Sequence, residues 1–248
     1  MNKRDIQEIL DSFSKGSIDR DRCLEMILHS KSSLADIDLC RRDRLGFDEV
    51  VFGKDKSVDQ ILEIIKIYKD RDLTFLCTKL DKKKIDQILA HDSDFEVFYN
   101  AGIIRFNKKE LKISGKVAIV TAGTSDLYIA NEASVVLDTL GTESKIFPDV
   151  GVAGVHRFFN IKSELEDFDV LIVIAGMEGA LPSLVGGLFY QPVIAVPVSV
   201  GYGTALGGFT PLFAMLTSCS NGITVVNIDN GFGAAIAAYR ILKVKNRA

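Results

Sequence analysis

The stretch Lys116–Asp126, KVAIVTAGTSD, predicts the fold of the larger part of the chain. A buried strand from Val117 to Thr121 leads into a short loop, and an amphipathic segment from Leu127 to Leu140 follows. The same alternation then repeats, with apolar strands at 145–149, 169–175, 192–198 and 223–228 and helices at about 153–166, 180–189, 206–217 and 232–242. Strands that alternate with helices and are apolar on both faces indicate a three-layer α/β fold with a parallel sheet. In such a fold, ligands bind at the carboxyl ends of the strands.

The distribution of charge predicts two domains. Residues 1–114 hold 22 basic and 22 acidic residues, whereas residues 115–248 hold 8 and 11, together with 16 of the 20 glycines and all 5 prolines. Residues 1–114 alternate helical patterns with short β-type runs, which is typical of a small α+β domain. The glycine-rich, charge-poor segment 115–248 is the one in which we expect the chemistry.

Composition excludes several classes of function. The formal net charge of -3 gives no reason to expect a nucleic acid or an anionic membrane as the partner. No apolar run is long enough to span a bilayer, and the first residues, MNKRDIQEILDSF, lack the apolar stretch of a signal peptide, so we expect a cytoplasmic protein. The cysteines at 23, 40, 77 and 219 form no C-x-x-C pair, which favours neither a zinc site nor a disulfide framework.

The loop Thr121–Asp126 is the first candidate site. Backbone N–H groups at a helix N-terminus, together with the hydroxyls of Thr124 and Ser125, can hold a phosphate. The ordinary explanation is a helix N-cap at Ser125 or Asp126, and by itself that explanation carries more weight. The run Gly201-Tyr202-Gly203 with Gly207-Gly208 misses the G-x-G-x-x-G spacing by one residue and is a weak dinucleotide signal.

Four further side chains are candidates for chemistry. Cys219 lies in SCSNG, whose small polar residues suit an accessible thiol, although most cysteines are simply packed in a core. Glu178 directly follows a very apolar strand, where a charge is costly unless it faces a cavity or a ligand. Asp229 also follows a strand, and its alternative is the turn Asp-Asn-Gly. His156, next to Arg157, could pair with an anion or could be a surface histidine near a helix start.

Together these segments resemble the LarB family, the pyridinium-3,5-bis(carboxylic acid) mononucleotide synthases of nickel-pincer cofactor biosynthesis. The segments that carry the resemblance are FDEVVFGK, GTSD, DVGVAGVHR, AGMEGALPSLVGGL, PVIAVPVSVGYG and SCSNGITVVNIDNGFGA. They span essentially the whole of residues 115–248 and part of the first domain. The resemblance implies a flavodoxin-like catalytic domain.

More distantly, the same segments resemble the PurE class, the aminoimidazole ribonucleotide carboxylases of purine synthesis. This second resemblance lies in Ser125-Asp126, His156-Arg157 and the turn Leu181-Pro182. That class carries a histidine just before its Leu-Pro pair, whereas this chain has Ala180. Purine-type carboxylase or mutase activity is therefore the alternative, and a non-catalytic nucleotide-binding module is a third hypothesis.

The LarB resemblance implies a carboxylase and hydrolase that acts on nicotinic acid adenine dinucleotide. CO2 or bicarbonate would be the cosubstrate, Mg2+ would accompany the substrate's phosphates, and no nickel is expected. Cys219 would form a transient adduct with the pyridinium ring, with Glu178 or Asp229 as the ring base. The PurE-like part of the resemblance implies a homo-oligomer, an octamer. The residues expected to bind substrate are Gly123, Thr124, Ser125, Asp126, His156, Arg157, Gly176, Met177, Ser199 and Gly201.

Overall fold

The computed structural model describes residues 3–31, 36–38 and 41–246. The described chain forms two compact units. The first comprises the residues up to Val97 together with Ile104–Lys108, and the second comprises Phe98–Ile103 and the residues from Lys109 onward. Of the four cysteines, Cys40 lies outside the described residues, and the other three are free thiols. The predicted domain division at 114/115 stays a prediction.

The first unit contains short helices and two small sheets. Its elements are α1 Lys3–Ser14, α2 Arg20–Leu28, β1 His29–Lys31, β2 Asp36–Asp38, α3 Arg41–Leu45, β3 Val51–Phe52, α4 Val58–Asp70, β4 Phe75–Thr78, α5 Lys82–His91, β5 Glu96–Phe98 and β6 Ile103–Phe106. Strands β1 and β2 pair antiparallel, and the larger sheet has the order β3-β4-β6-β5. The strand predicted over FDEVVFG is only two residues long.

The helices of the first unit begin where the sequence supplies caps. Ser57 accepts the N–H of Gln60, whose side chain accepts the N–H of Ser57, and this reciprocal capping box starts α4. Asp81 caps α5 by accepting the N–H of Lys84 at 2.7 Å. Helix α4 then buries its apolar face in a core that includes Phe75, which packs edge to face with Tyr68.

The second unit is a five-stranded parallel sheet between two layers of helices, as the sequence predicts. Its elements are β7 Ile113–Thr121, α6 Leu127–Thr139, β8 Thr142–Phe147, α7 Val155–Leu165, β9 Val170–Ala175, α8 Leu181–Leu188, β10 Val193–Pro197, α9 Phe209–Leu216, β11 Ile223–Val225 and α10 Gly231–Lys245. Helices α6 and α10 pack together on one face of the sheet. The other face holds a continuous apolar core to which α7, α8 and α9 contribute Phe158, Val185 and Met215.

The order of the strands determines where in the second unit a ligand site is expected. Across the sheet the strands run β8-β7-β9-β10-β11, so the chain moves one way from β7 and then returns to the other side of it. This is the flavodoxin-like order, and its topological switch point lies between β7 and β9. The loops that leave the carboxyl ends of β7 and β9 diverge at that point and leave a crevice between them.

Candidate active site

A cleft of about 500 Å³ lies at the carboxyl edge of the parallel sheet. Four loops line it, one each after β7, β8, β9 and β10, and together they contribute Ala122, Gly123, Ser125, Asp126, Gly151, Val152, Ala153, Ala175, Gly176, Met177, Glu178, Ala180, Leu181, Val200, Gly201 and Tyr202. The volume falls within the range of pockets that hold small molecules. The cleft therefore lies where the topology predicts a ligand site, at the switch point of the sheet.

The loop after β7 is held by its own polar groups. The Oδ2 atom of Asp126 accepts the N–H of Gly123 at 2.8 Å. The hydroxyl of Thr121 donates to the carbonyl of Gly123 and accepts the N–H of Asp149, which joins this loop to the loop after β8. Ser125 is exposed and faces the cleft, whereas Thr124 is exposed and is not among the lining residues. Of the predicted phosphate-binding hydroxyls, the structure thus brings only that of Ser125 to the cleft.

Asp126 is a buried carboxyl group in the wall of the cleft, with 3% of its surface exposed. Burial raises its pKa above the ordinary value of 3.8, the N–H groups of Gly123 and Ala122 oppose this rise, and the negative charge of Asp229 adds to it. A buried carboxyl group with a raised pKa at a cleft is typical of functional sites.

The loop after β9 presents Gly176, Met177 and Glu178 to the cleft. Glu178 is exposed at the cleft. This agrees with the prediction that a charged residue directly after an apolar strand faces a cavity or a ligand. Met177 has a φ of 53°, a left-handed backbone conformation that costs energy in a residue other than glycine. A Cβ atom on Gly176 would lie 2.4 Å from the carbonyl oxygen of Val200, so a glycine is required where these two loops touch.

Asp229 and Ser199 connect the two strands furthest from β8. Asp229 also has a left-handed φ, 56°, and its Oδ1 atom accepts the N–H of Ser199 at 2.8 Å. Neither residue lines the cleft, but the neighbours of Ser199, Val200 and Gly201, do. The carboxylate of Asp229 therefore lies close to the cleft and supports its wall.

His156 and Arg157 occupy the first turn of α7, outside the cleft-lining set. The guanidinium of Arg157 forms an ion pair and hydrogen bond with Asp149. His156 is exposed. Arg157 would have to exchange Asp149 for an anionic ligand in order to act as the sequence predicts.

Cys219 is exposed and also lies outside the cleft-lining set. It sits in the loop between α9 and β11, and the serines on either side of it are tied to α8. Ser218 Oγ lies 2.7 Å from Ser183 Oγ, and Ser220 Oγ donates to the carbonyl of Ser183 at 2.7 Å. The thiol is accessible, as the sequence argument expects, but the cleft of the same chain does not enclose it.

Two residues of this region were not predicted from the sequence. Tyr202 lines the cleft with 81% of its surface exposed, and its position between two glycines in the loop after β10 was the available signal. Glu132 is fully buried in α6 and accepts the N–H of Phe232 at 3.3 Å, in the first turn of α10. A lone glutamate among Ile129, Ala133 and Val136 could have indicated such a buried contact.

Within the described part of the chain, no three His, Cys, Asp or Glu side chains are grouped so that they could hold a metal ion. The carboxylates at this edge of the sheet, Asp126, Glu178 and Asp229, are nonetheless oxygen ligands of the kind that Mg2+ prefers. Among residues 3–31, 36–38 and 41–246, no helix is long and apolar enough to cross a membrane.

Comparisons with known proteins cover both parts of the chain. The model of the AIR carboxylase family matches residues 116–248, and the model of the LarB/PurE-like N-terminal domain matches residues 29–109. An uncharacterized protein of Methanocaldococcus jannaschii is 38% identical over 98% of this chain and 99% of its own length.

Two further relatives match only about half of the chain. The N5-carboxyaminoimidazole ribonucleotide mutase of M. jannaschii is 37% identical over 52% of this chain and 80% of that protein. The enzyme of the same name from Thermotoga maritima is 31% identical over 52% of this chain and 76% of that protein.

Proposed function

The chain belongs to the LarB-like family, whose C-terminal domain is PurE-like, and from this membership we propose that it is a pyridinium-3,5-bis(carboxylic acid) mononucleotide synthase. The family and the mutase relatives support an enzyme of the carboxylase or mutase type. The specific reaction proposed is carboxylation of the pyridinium ring of nicotinic acid adenine dinucleotide and hydrolysis of its phosphoanhydride. The second product is AMP, and the pathway served is nickel-pincer cofactor biosynthesis.

The observation that carries this choice of substrate is Ala180. It lines the cleft directly before Leu181 and Pro182, at the position where the PurE class keeps a histidine. A methyl group can neither donate nor accept a proton, so the purine-type reaction would lack the imidazole that the class places there. Because the fold around this position is otherwise of the same type, the change points to a different substrate rather than to a lost site.

The proposed chemistry needs a nucleophile because a pyridinium ring is too electron-poor to attack CO2. The thiolate of Cys219 adds to ring carbon 4 and forms a C–S bond, which leaves a dihydropyridine with an enamine-like carbon 5. Carbon 5 attacks CO2, a base removes the proton from the same carbon, and the C–S bond breaks. Aromaticity and the thiolate are both restored, so no oxidant or reductant is consumed.

Two carboxylates are candidates for the ring base. Glu178 is the first, because it faces the cleft and is exposed there. Asp229 is the second, and its hydrogen bond to Ser199 favours a supporting role in addition. A positioned base of this kind contributes typically 10²–10⁴-fold to a rate.

Ser125, Asp126 and the backbone around Gly123 would bind the phosphate or ribose of the nucleotide, and Gly176, Met177 and Gly201 would contact the remainder. Mg2+ bound to the phosphates would neutralise charge during cleavage of the phosphoanhydride, in which water attacks one phosphorus and AMP leaves. CO2 or bicarbonate is the proposed cosubstrate. We propose a homo-oligomer, an octamer, with neither nucleic acid nor membrane as a partner.

The test is an incubation of the full chain with nicotinic acid adenine dinucleotide, bicarbonate and Mg2+, analysed by mass spectrometry. AMP together with a dicarboxylated mononucleotide supports the proposal. A parallel incubation uses N5-carboxyaminoimidazole ribonucleotide, because the mutase relatives favour that second candidate. Turnover of the imidazole substrate with none of the pyridinium substrate would overturn the proposal.

A further inference from the structure

Helix α6 contains a fully buried glutamate, Glu132, which the proposed reaction does not use. A glutamate is seldom fully buried unless its charge has a partner, because taking a carboxylate out of water is costly. The side chains of Ile129, Ala133 and Val136, which lie beside it on the same helix, are buried and apolar and cannot stabilise a charge. The place of Glu132 therefore has to be explained by the groups that its carboxylate binds.

The carboxylate of Glu132 binds the start of α10. Its Oε2 atom accepts the backbone N–H of Phe232 at 3.3 Å, in the first turn of that helix. A Cβ atom on Gly231 would lie 2.9 Å from this Oε2 atom and 2.5 Å from the carbonyl oxygen of Ile129, so a glycine is required where α6 and α10 approach each other. Helix α10 has 15 residues, and the positive end of its dipole further stabilises a negative charge at this place.

Asp229 lies shortly before Phe232, in the turn that leads into α10. Its left-handed backbone, with a φ of 56°, is a conformation that persists only where the surrounding structure fixes it. Strand β10 fixes one side of the turn, because the N–H of Asp229 donates to the carbonyl of Pro197 and the Asp229 carboxylate accepts the N–H of Ser199. The other side of the turn continues into the first turn of α10, which is the one that Glu132 holds.

We propose that Glu132 is a positioning residue of the cleft and that it acts through Asp229. By holding the first turn of α10 against α6, its carboxylate keeps Asp229 where it accepts the N–H of Ser199. Ser199 lies in the loop after β10, and the next two residues of that loop, Val200 and Gly201, line the cleft. Loss of the contact therefore loosens one wall of the cleft. The effect on catalysis, unlike the effect on the loop, rests on the proposed function.

A role of Glu132 in packing alone predicts a different behaviour. If Glu132 only stabilises the packing of α6 on α10, its loss lowers the free energy of unfolding and speeds amide exchange wherever exchange requires the second unit to open. If Glu132 positions Asp229, the change is concentrated at the amides of Phe232 and Ser199, although Ser199 belongs to the loop after β10. The two roles can therefore be separated by where in the chain exchange becomes faster.

Hydrogen–deuterium exchange of the full chain, read by mass spectrometry, tests the positioning without any substrate. Glu132→Leu loses the acceptor of the Phe232 N–H, so the peptides that contain Phe232 and Ser199 should exchange about tenfold faster than in the wild type. Glu132→Asp keeps the charge but shortens the side chain by one carbon, and it should give the same result if the Glu132→Leu protein does not fold. Glu132→Gln keeps an oxygen of the same reach and should restore nearly the exchange of the wild type.

Val136→Ala is the matched control, because it removes buried apolar atoms from the same helix one turn further on and leaves the acceptor of the Phe232 N–H in place. This variant should speed exchange no more at Ser199 than elsewhere in the second unit. If the Ser199 peptide of the Glu132→Leu protein exchanges as it does in the Val136→Ala protein, the proposal is overturned. It is also overturned if Glu132→Gln changes the exchange as strongly as Glu132→Leu does.

A double-mutant cycle tests whether the effect on catalysis passes through Asp229. Glu132→Leu and Asp229→Ala should each lower kcat with nicotinic acid adenine dinucleotide about tenfold, and the double variant should be no slower than Asp229→Ala. Multiplied effects would show that Glu132 acts by another route and would overturn the proposal. The expected change in exchange at Ser199, without turnover by the wild type, would retain the positioning and reject the proposed function. Wild-type turnover with unchanged exchange at Ser199 in the Glu132→Leu protein would do the reverse.

Discussion

Asp229 Oδ1 accepts the backbone N–H of Ser199 at 2.8 Å, which ties the loop after β11 to the loop after β10. The N–H of Asp229 in turn donates to the carbonyl of Pro197 at 2.9 Å, the last residue of β10. The backbone and side chain of one residue thus fix the end of a strand next to the cleft, and the carboxylate of Asp229 also raises the pKa of Asp126 as a minor cause after burial. Support of the loops and the proposed transfer of a proton can therefore be tested separately at Asp229.

Two substitutions separate those roles. Asp229→Asn keeps an oxygen that can accept the N–H of Ser199 and tolerates the left-handed backbone, so we expect a normal melting temperature. Asp229→Ala can no longer accept the N–H of Ser199 and tolerates the left-handed backbone less well, so it should cost about 1–3 kcal/mol of unfolding free energy.

Because Glu178 is the first candidate for the ring base, Glu178→Gln should slow carboxylation much more than Asp229→Asn does. Steady-state rates and thermal denaturation provide the comparison. If the Asp229→Asn enzyme is slower than the Glu178→Gln enzyme, Asp229 rather than Glu178 is the better candidate for the ring base.

Ser125 should bind the nucleotide directly. Loss of one hydrogen bond to a charged group costs roughly 1.5–3 kcal/mol, so Ser125→Ala should weaken binding of the dinucleotide by about tenfold to a hundredfold. Thr124→Val is the matched control, because Thr124 is a hydroxyl residue in the same loop that does not line the cleft. Isothermal titration calorimetry measures both. Equal affinities of the Ser125→Ala and wild-type proteins, with a lowered melting temperature of the variant, would favour a purely structural serine.

The raised pKa of Asp126 predicts a pH dependence of stability. Because the folded state favours the neutral carboxyl group, its stabilisation is fully present below the ordinary value of 3.8 and is lost as the pH rises through the raised pKa. Asp126→Asn cannot ionise and should become more stable relative to the wild type across that window, as measured by urea unfolding at a series of pH values. In the control Asp92→Asn the sign reverses, because the hydrogen bond from Lys69 lowers the pKa of Asp92. Parallel curves for the wild-type and Asp126→Asn proteins would show that Asp126 titrates normally.

Gly151 allows the loop after β8 to approach the loop after β7 closely at the wall of the cleft. A Cβ atom there would lie 2.6 Å from the carbonyl oxygen of Ala122, so Gly151→Ala should push the two loops apart and lower both the melting temperature and the nucleotide affinity. Gly187→Ala is the matched control. Its Cβ atom would meet only Ser220 Oγ, at 3.7 Å, and alanine in a helix is favoured over glycine by about 0.8–1.0 kcal/mol. A Gly151→Ala protein as stable and as tightly binding as the wild type would contradict the close approach.

The sequence predicts the second unit well because its central strands are short apolar runs that are buried on both faces. β9 and β10 are buried along their whole length and lie within a residue or two of their predicted limits. The edge strand β8 begins at Thr142 and ends at Phe147, earlier than the predicted 145–149, because its exposed and half-exposed residues carry no apolar signal. The helix predicted from 206 begins only at Phe209, since Leu206 and Gly207 adopt left-handed conformations.

The candidate site is harder to predict from the sequence than the fold of the second unit. Ser125, Asp126 and Glu178 follow strands β7 and β9, so the topology of a parallel sheet suffices to bring them together. Tyr202 lies in a loop after a strand but belongs to no recognisable motif, so it was not predicted as a site residue. Cys219 precedes its strand instead of following one. The rule that ligands bind at the carboxyl ends of parallel strands therefore does not locate its thiol.

The most direct test of the thiolate mechanism is the carboxylation rate of the Cys219→Ser protein. The change is nearly isosteric at an exposed position, but it replaces a thiol, which is the stronger nucleophile, by a hydroxyl. Cys77→Ala is the control, because Cys77 is a buried thiol whose pKa is raised to about 12 by desolvation and which therefore cannot act as a nucleophile.

With nicotinic acid adenine dinucleotide and bicarbonate, we predict that Cys219→Ser lowers carboxylation by several orders of magnitude. Its melting temperature should stay normal, and part of the AMP release should survive because that step uses other groups. The Cys77→Ala protein, adjusted for any loss of folded protein, should carboxylate as the wild type does. A Cys219→Ser protein that carboxylates the ring at the wild-type rate would contradict the thiolate mechanism.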